Sequence, residues 1–94
     1  MKTIHKVTIS TDSHQFSVPV DAKMLTVKSQ NDNIVIYYET EHSEKPDLAD
    51  TKIILVMCVG TGHCFNPEGV KYFGTCLLYS ESLVMHVYVS ENDL

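Results

Sequence analysis

Ile53-Ile54-Leu55-Val56-Met57-Cys58-Val59 is apolar at every position and stops on Gly60-Thr61-Gly62. An uninterrupted apolar run of this length, bounded by a turn residue, predicts a central β-strand covered on both faces. Working outward from it, six further runs rich in Val, Ile, Thr and Tyr read as strands: Thr3 to Ile9, His14 to Pro19, Lys23 to Gln30, Ile34 to Glu41, Tyr72 to Leu78 and Leu83 to Val89. Several alternate with period two, as a strand with one buried and one wetted face must. Phe16 and Val18 stand against Gln15 and Ser17, and Leu25 and Val27 against Thr26 and Lys28. In Leu83 to Val89 the same rule sets Val84, His86 and Tyr88 on one face and Leu83, Met85, Val87 and Val89 on the other.

Turn signals separate these runs at Ser10-Thr11-Asp12-Ser13, at Pro19 to Ala22 and at Asn31-Asp32-Asn33, where Asn and Asp tolerate the left-handed backbone of a tight hairpin. The first four strands therefore read as successive hairpins. Glu41 to Asp50 is polar and contains Pro46, which predicts a loop or at most one helical turn. Ser90 to Leu94 reads as a polar tail that frays. The fold class that follows is mainly β: one small domain over residues 1–94, an antiparallel sheet or sandwich or a partly open barrel, with little helix.

Ninety-four residues bury only a modest share of their surface, so association with copies of the same chain is expected. The apolar share of 44% suits a globular protein, and no run approaches the roughly 18 apolar residues of a membrane span. The first residues lack the apolar stretch of a secretory signal, and three cysteines without CxxC spacing suit free thiols in a reducing compartment. A net charge of −5 disfavours long nucleic acids as partners. All seven basic residues are lysines, so a small anion would be met by ammonium groups or backbone N–H rather than by guanidinium forks.

All four glycines fall between Gly60 and Gly74, in a stretch that also carries Thr61, His63, Lys71 and Tyr72, with Thr75 following directly. It divides into a strand-exit loop, Gly60 to His63, and a re-entry turn, Gly69 to Thr75. Closely spaced glycines can converge backbone N–H groups on an anionic oxygen, but neither GxxxxGK[ST] nor GxGxxG is present, and a plain sharp turn explains the same residues. Hydroxyls, an imidazole and an aromatic face suit a polar, planar ligand. The candidate binding residues are Thr61, Gly62, His63, Lys71, Tyr72, Thr75 and His86, although a hydrogen-bonded structural histidine is the more ordinary role for His86.

No catalytic set is expected. Cys58, His63, Cys64 and Cys76 supply metal-ligand types, but lack the C-x₂₋₄-C spacing of a zinc site, so neither metal nor cofactor is assigned. Cys64 or Cys76 with His63 or His86 could form a nucleophile and base, yet no third residue is marked out to orient the base. The acids concentrate between Glu39 and Asp50 and in the tail, away from the glycines.

Gly60-Thr61-Gly62-His63, Tyr72-Phe73-Gly74-Thr75 and Val84-Met85-His86-Val87-Tyr88 together resemble a family of small phage proteins with a GTG loop, an aromatic-x-G-T element and a final strand with a central His. The Pro19 turn, Ala22, Leu25, Gln30 and the strand bearing Tyr37-Tyr38 are compatible with it, so the resemblance covers nearly the whole chain. The chain is also similar to phage nucleotide sponges that sequester cyclic-oligonucleotide messengers of bacterial antiviral defence. That resemblance implies a non-enzymatic homo-oligomer, a tetramer being the expected form, in the cytoplasm of an infected bacterium. It also implies a cyclic dinucleotide such as cyclic GMP–AMP, held intact. Phosphates would meet Thr61, Thr75, Lys71 and the Gly62 N–H, a base would stack on Tyr72, and His63 or His86 would bond a base edge or phosphate. Two other readings stand beside it: a phage structural or protein-interaction module with no small ligand, and a nucleotide hydrolase using His63 or His86 as base.

Overall fold

A computed structural model describes residues 1–41 and 50–94 as two antiparallel sheets packed on one core. The expected loop at Glu41 to Asp50 lies for the most part outside the described residues. Seven strands follow in chain order: β1 Lys2–Ile9, β2 Gln15–Pro19, β3 Lys23–Gln30, β4 Asn33–Glu41, β5 Thr51–Gly60, β6 Val70–Leu78 and β7 Leu83–Ser90. Each coincides with a run predicted from sequence to within two residues at its ends. The sheets run β1-β4-β3 and β2-β5-β7-β6, and they do not close into a barrel.

Only one of the first connections is the expected hairpin. Gln30 pairs with Asn33 across Asn31 and Asp32, whose φ values of 52° and 61° are those of a two-residue type I′ turn. β1 pairs instead with β4, and β2 leaves the first sheet to pair with β5. Crossing between sheets lets Val18 of β2 and Ile9 of β1 enter the same core from opposite sides, which two consecutive hairpins in one sheet would not allow.

The core is built from the inner residue of each alternating pair: Ile9, Val27, Ile34 and Ile36 from one sheet, Val18, Ile54, Val56, Val87 and Val89 from the other. Leu25 departs from the expected pattern. The β3–β4 register slips between Met24 and Thr26, so Met24 is buried and the bulged Leu25 turns outward, 38% exposed. A second bulge lies between Tyr72 and Gly74 in β6. Beside it, Gly74 brings β6 against β3 of the other sheet; a Cβ there would stand 2.5 Å from Val27 Cγ1.

β5 lies inside its sheet order, as its apolar sequence predicts, pairing with β2 over Thr51–Leu55 and with β7 over Val56–Gly60, but on its outer face only Val59 is buried. Ile54 is fully buried, whereas Ile53 and Leu55 remain 49% and 45% exposed. The physical reason is that a two-layer sandwich has a single core, so alternate residues of even an internal strand face outward. The C-terminal tail is likewise more ordered than expected. Ser90 is buried and its Oγ accepts a 2.6 Å bond from the Leu55 N–H, and a three-residue 3-10 helix, Glu91–Asp93, is tied to β5 by a 2.7 Å ion pair between Lys52 and Asp93.

Candidate functional site

β5 ends in a turn closed by the His63 N–H donating to the Gly60 carbonyl at 3.2 Å. Gly62 occupies its third position with φ of 88°, the left-handed geometry a type II turn demands there. This turn carries Thr61 to the outer face of the four-stranded sheet, where it meets β7 and β6. Thr61 Oγ1 lies 2.8 Å from His86 Nε2, and Thr75 Oγ1 lies 3.0 Å from His86 Nδ1. Thr75 Oγ1 is also 2.6 Å from the Tyr72 hydroxyl. The result is one hydrogen-bonded chain, Thr61–His86–Thr75–Tyr72, drawn from the β5 turn, β7 and β6.

Register explains why these groups converge. Thr75 is directly opposite His86, and Tyr72 opposite Tyr88, so cross-strand partners share the outer face. The bulge at Phe73 bends β6 within this segment, and the Tyr72 hydroxyl reaches Thr75. Tyr72 is more than half exposed and meets Tyr88 edge-on at 5.6 Å between ring centroids, while Phe65, from the loop after the turn, tilts against the Tyr88 ring at 5.0 Å. Phe65 carries no sequence signal for this place, because a lone Phe in a loop shows no periodicity.

The chain of bonds has a direction. A neutral imidazole donates at one nitrogen and accepts at the other, so when Nε2 donates to Thr61, Thr75 donates to Nδ1 and Tyr72 donates to Thr75. Thr61 then points its own proton outward. With the other tautomer every bond reverses, and the Tyr72 hydroxyl becomes the outward donor. Either way the network offers one donor end and one acceptor end to a ligand.

The remaining predicted residues are placed differently. His63 is exposed and packs its ring over Gly60, where a Cβ would stand 3.2 Å from Nδ1 and Cε1; no hydrogen bond joins it to the network. Lys71 is opposite Val89, a fully buried core position, so alternation puts it on the other face of β6 from Tyr72 and Thr75. The bulge comes after Lys71 and cannot restore it. The re-entry turn is also shorter than expected: the Val70 N–H donates to the Pro67 carbonyl at 3.1 Å around Gly69, φ 81°, and β6 begins at Val70.

Cys58 is half-buried, Cys64 exposed and Cys76 buried, all as free thiols. Burial, with a smaller contribution from nearby Cys76, pushes the Cys58 thiol up to about 11. Burial also raises Cys76. Alkylation of the native protein at about pH 8 is expected to label Cys64 alone, with Cys58 and Cys76 reacting only after denaturation, as peptide mass mapping would show. Because the unfolded Cys58 loses its proton near 9 and the folded one near 11, stability falls as pH rises through that interval. Among the described residues, no three His, Cys, Asp or Glu side chains converge as a metal site requires.

A family model described as a domain of unknown function (DUF7352) matches residues 1–93. No curated protein and no solved structure matches the chain.

Proposed function

We propose, for a chain that belongs to the DUF7352 family, a role in binding rather than catalysis: capture of a cyclic dinucleotide on the outer face of the four-stranded sheet, with release of the same molecule unchanged. The observation that carries this reading is the continuous Thr61–His86–Thr75–Tyr72 network beside the exposed Tyr72 ring. A nucleobase needs a flat apolar surface and a matching donor and acceptor, and the ring and the two network ends supply both. Both nitrogens of His86 already face threonine hydroxyls, which suits a fixed hydrogen-bond partner more than a base with a free lone pair aimed at substrate. In an infected bacterium, such a protein would lower the free messenger concentration by mass action, as a sponge does, and blunt the antiviral response it triggers.

With Lys71 on the opposite face, the phosphates fall to uncharged donors: the Gly62 N–H and whichever network end, the Thr61 or the Tyr72 hydroxyl, points its proton outward. This gives an expected sign for salt dependence. A lysine-held phosphate loses affinity as salt rises, whereas here the chain's net charge of −5 repels the ligand and screening relieves that repulsion. Affinity measured by calorimetry should stay flat or rise slightly between low and high salt. A steep fall would place lysines in the site.

The direct test is incubation of purified protein with a panel of cyclic mono-, di- and trinucleotides, removal of the unbound fraction, heating, and chromatography of what is released. Intact cyclic dinucleotide is the expected product. Retention of no nucleotide overturns the reading, and recovery of linear products replaces it with a hydrolase.

A further inference from the structure

One end of the sandwich is closed by two turns that carry every non-glycine residue of positive φ among those described. They are Asn31 and Asp32 between β3 and β4, and Tyr79, Ser80 and Glu81 between β6 and β7. Asn and Asp accept this conformation readily, but a run of Tyr, Ser and Glu holds it only where the surroundings constrain it. Asp32 supplies part of that constraint: its Oδ1 accepts the Tyr79 N–H at 2.7 Å and ties the two sheets together at this end. Beside the tie opens a cleft of about 190 Å³, bounded on its third side by Ser10 and Thr11 at the end of β1. Its floor is the top of the core, formed by the buried Ile9, Ile34 and Leu78 and the half-buried Leu83. Asp32 and Tyr79, both exposed, line it from the two turns.

We propose that this cleft is a binding site for a small organic cation, an ammonium group carried on an apolar body about the size of one benzene ring. Volume sets the size. A cavity of about 150 Å³ holds a benzene molecule, so about 190 Å³ has room for a ring and a short tail. Charge sets the head group. Asp32 is the one carboxylate lining the cleft, no Lys or His lines it, and Oδ2 of Asp32 has no hydrogen-bond partner among the described residues. A carboxylate with an open oxygen attracts an ammonium and repels phosphates and other carboxylates. Tyr79 lines the same cleft, and an aromatic side chain beside a carboxylate is a pairing that favours organic cations. The floor sets the rest: four aliphatic side chains offer water no hydrogen bonds, so an apolar body gains by displacing it.

No residue of the cleft belongs to the Thr61–His86–Thr75–Tyr72 network, so either site can fail without the other. The test is an amide NMR titration of the full chain with phenethylammonium, its neutral isostere phenethyl alcohol and the anion phenylacetate. Phenethylammonium should give saturable shifts concentrated at Ser10 and Thr11, Asp32 to Ile34 and Leu78 to Leu83. The alcohol lacks the charged partner for Asp32 and should bind about tenfold or more weakly, and phenylacetate should not shift these amides. Asp32→Asn keeps an oxygen for the Tyr79 N–H and removes only one of the five net negative charges. It should nevertheless weaken phenethylammonium by a similar factor and leave the alcohol unchanged. Leu83→Phe fills the floor without touching the carboxylate and should bind neither. Absence of saturable shifts in the cleft, alcohol or phenylacetate binding there as strongly as phenethylammonium, or wild-type affinity in Asp32→Asn or Leu83→Phe would each overturn the proposal.

Discussion

Gly74→Ala is expected to destabilise the protein by about 1–3 kcal/mol, the usual cost of forcing an extra methyl into a packed core. For a domain of this size that is a loss of roughly 5–20 °C in melting temperature, readable by thermal circular dichroism. The reason is space rather than backbone conformation. The new Cβ would stand 2.5 Å from Cγ1 of Val27, a residue only 5% exposed and fixed in β3. A β-branched side chain has no flexible end to swing away, so the two sheets must move apart or the bulge at Phe73 must shift. Val27→Ala removes the obstructing methyl, and the double variant should be less destabilised than the sum of the two single changes. A Gly74→Ala protein that melts with the wild type would mean that β6 and β3 are not held this closely.

His86→Ala should leave the fold nearly intact and reduce nucleotide affinity by about 10- to 100-fold, the consequence of losing one or two bonds in a ligand-facing network. Water can replace the half-exposed ring, so the stability cost is small, but nothing then fixes the Thr61 and Thr75 hydroxyls relative to each other. Because Thr75 acts only as a link of this chain, adding Thr75→Val to His86→Ala should cost little more than His86→Ala alone, whereas adding Thr61→Val also removes an end that faces the ligand. Tyr72 separates the two parts of the site. Tyr72→Phe keeps the ring and loses the terminal hydroxyl, and Tyr72→Ala loses both, so the alanine variant should bind more weakly than the phenylalanine variant by the stacking contribution, about 1–3 kcal/mol. Calorimetry on the wild type and these variants measures this. Binding by His86→Ala within a factor of two of wild type would remove the network from the site.

The candidate site was legible from side-chain chemistry and strand alternation in part. Thr61, Tyr72, Thr75 and His86 were singled out and are brought within hydrogen-bonding distance. Alternation in β7 correctly put His86 on the outer face, because period two is a property of the backbone alone. Lys71 was misplaced because proximity in sequence to Tyr72 says nothing about facing, and adjacent residues in a strand point opposite ways. Phe65 was missed because its place depends on how the loop after Gly62 folds back over Tyr88.

By itself, the sequence determined where the chain is extended, where it turns and which side chains share a face. Those follow from β-branching, from residues such as Asn31 and Asp32 that accept positive φ, and from the pleat, all interactions within a few residues. Which strands pair was decided only by the tertiary structure, as was how closely β6 could approach β3 and that Ile53 and Leu55 of β5 stay exposed. Backbone hydrogen bonds are the same for every strand, so β1 could satisfy its ladder against β2 as well as against β4. The choice is made by the shared core, in which Ile9, Val27, Ile54 and Val87 must fill one space together.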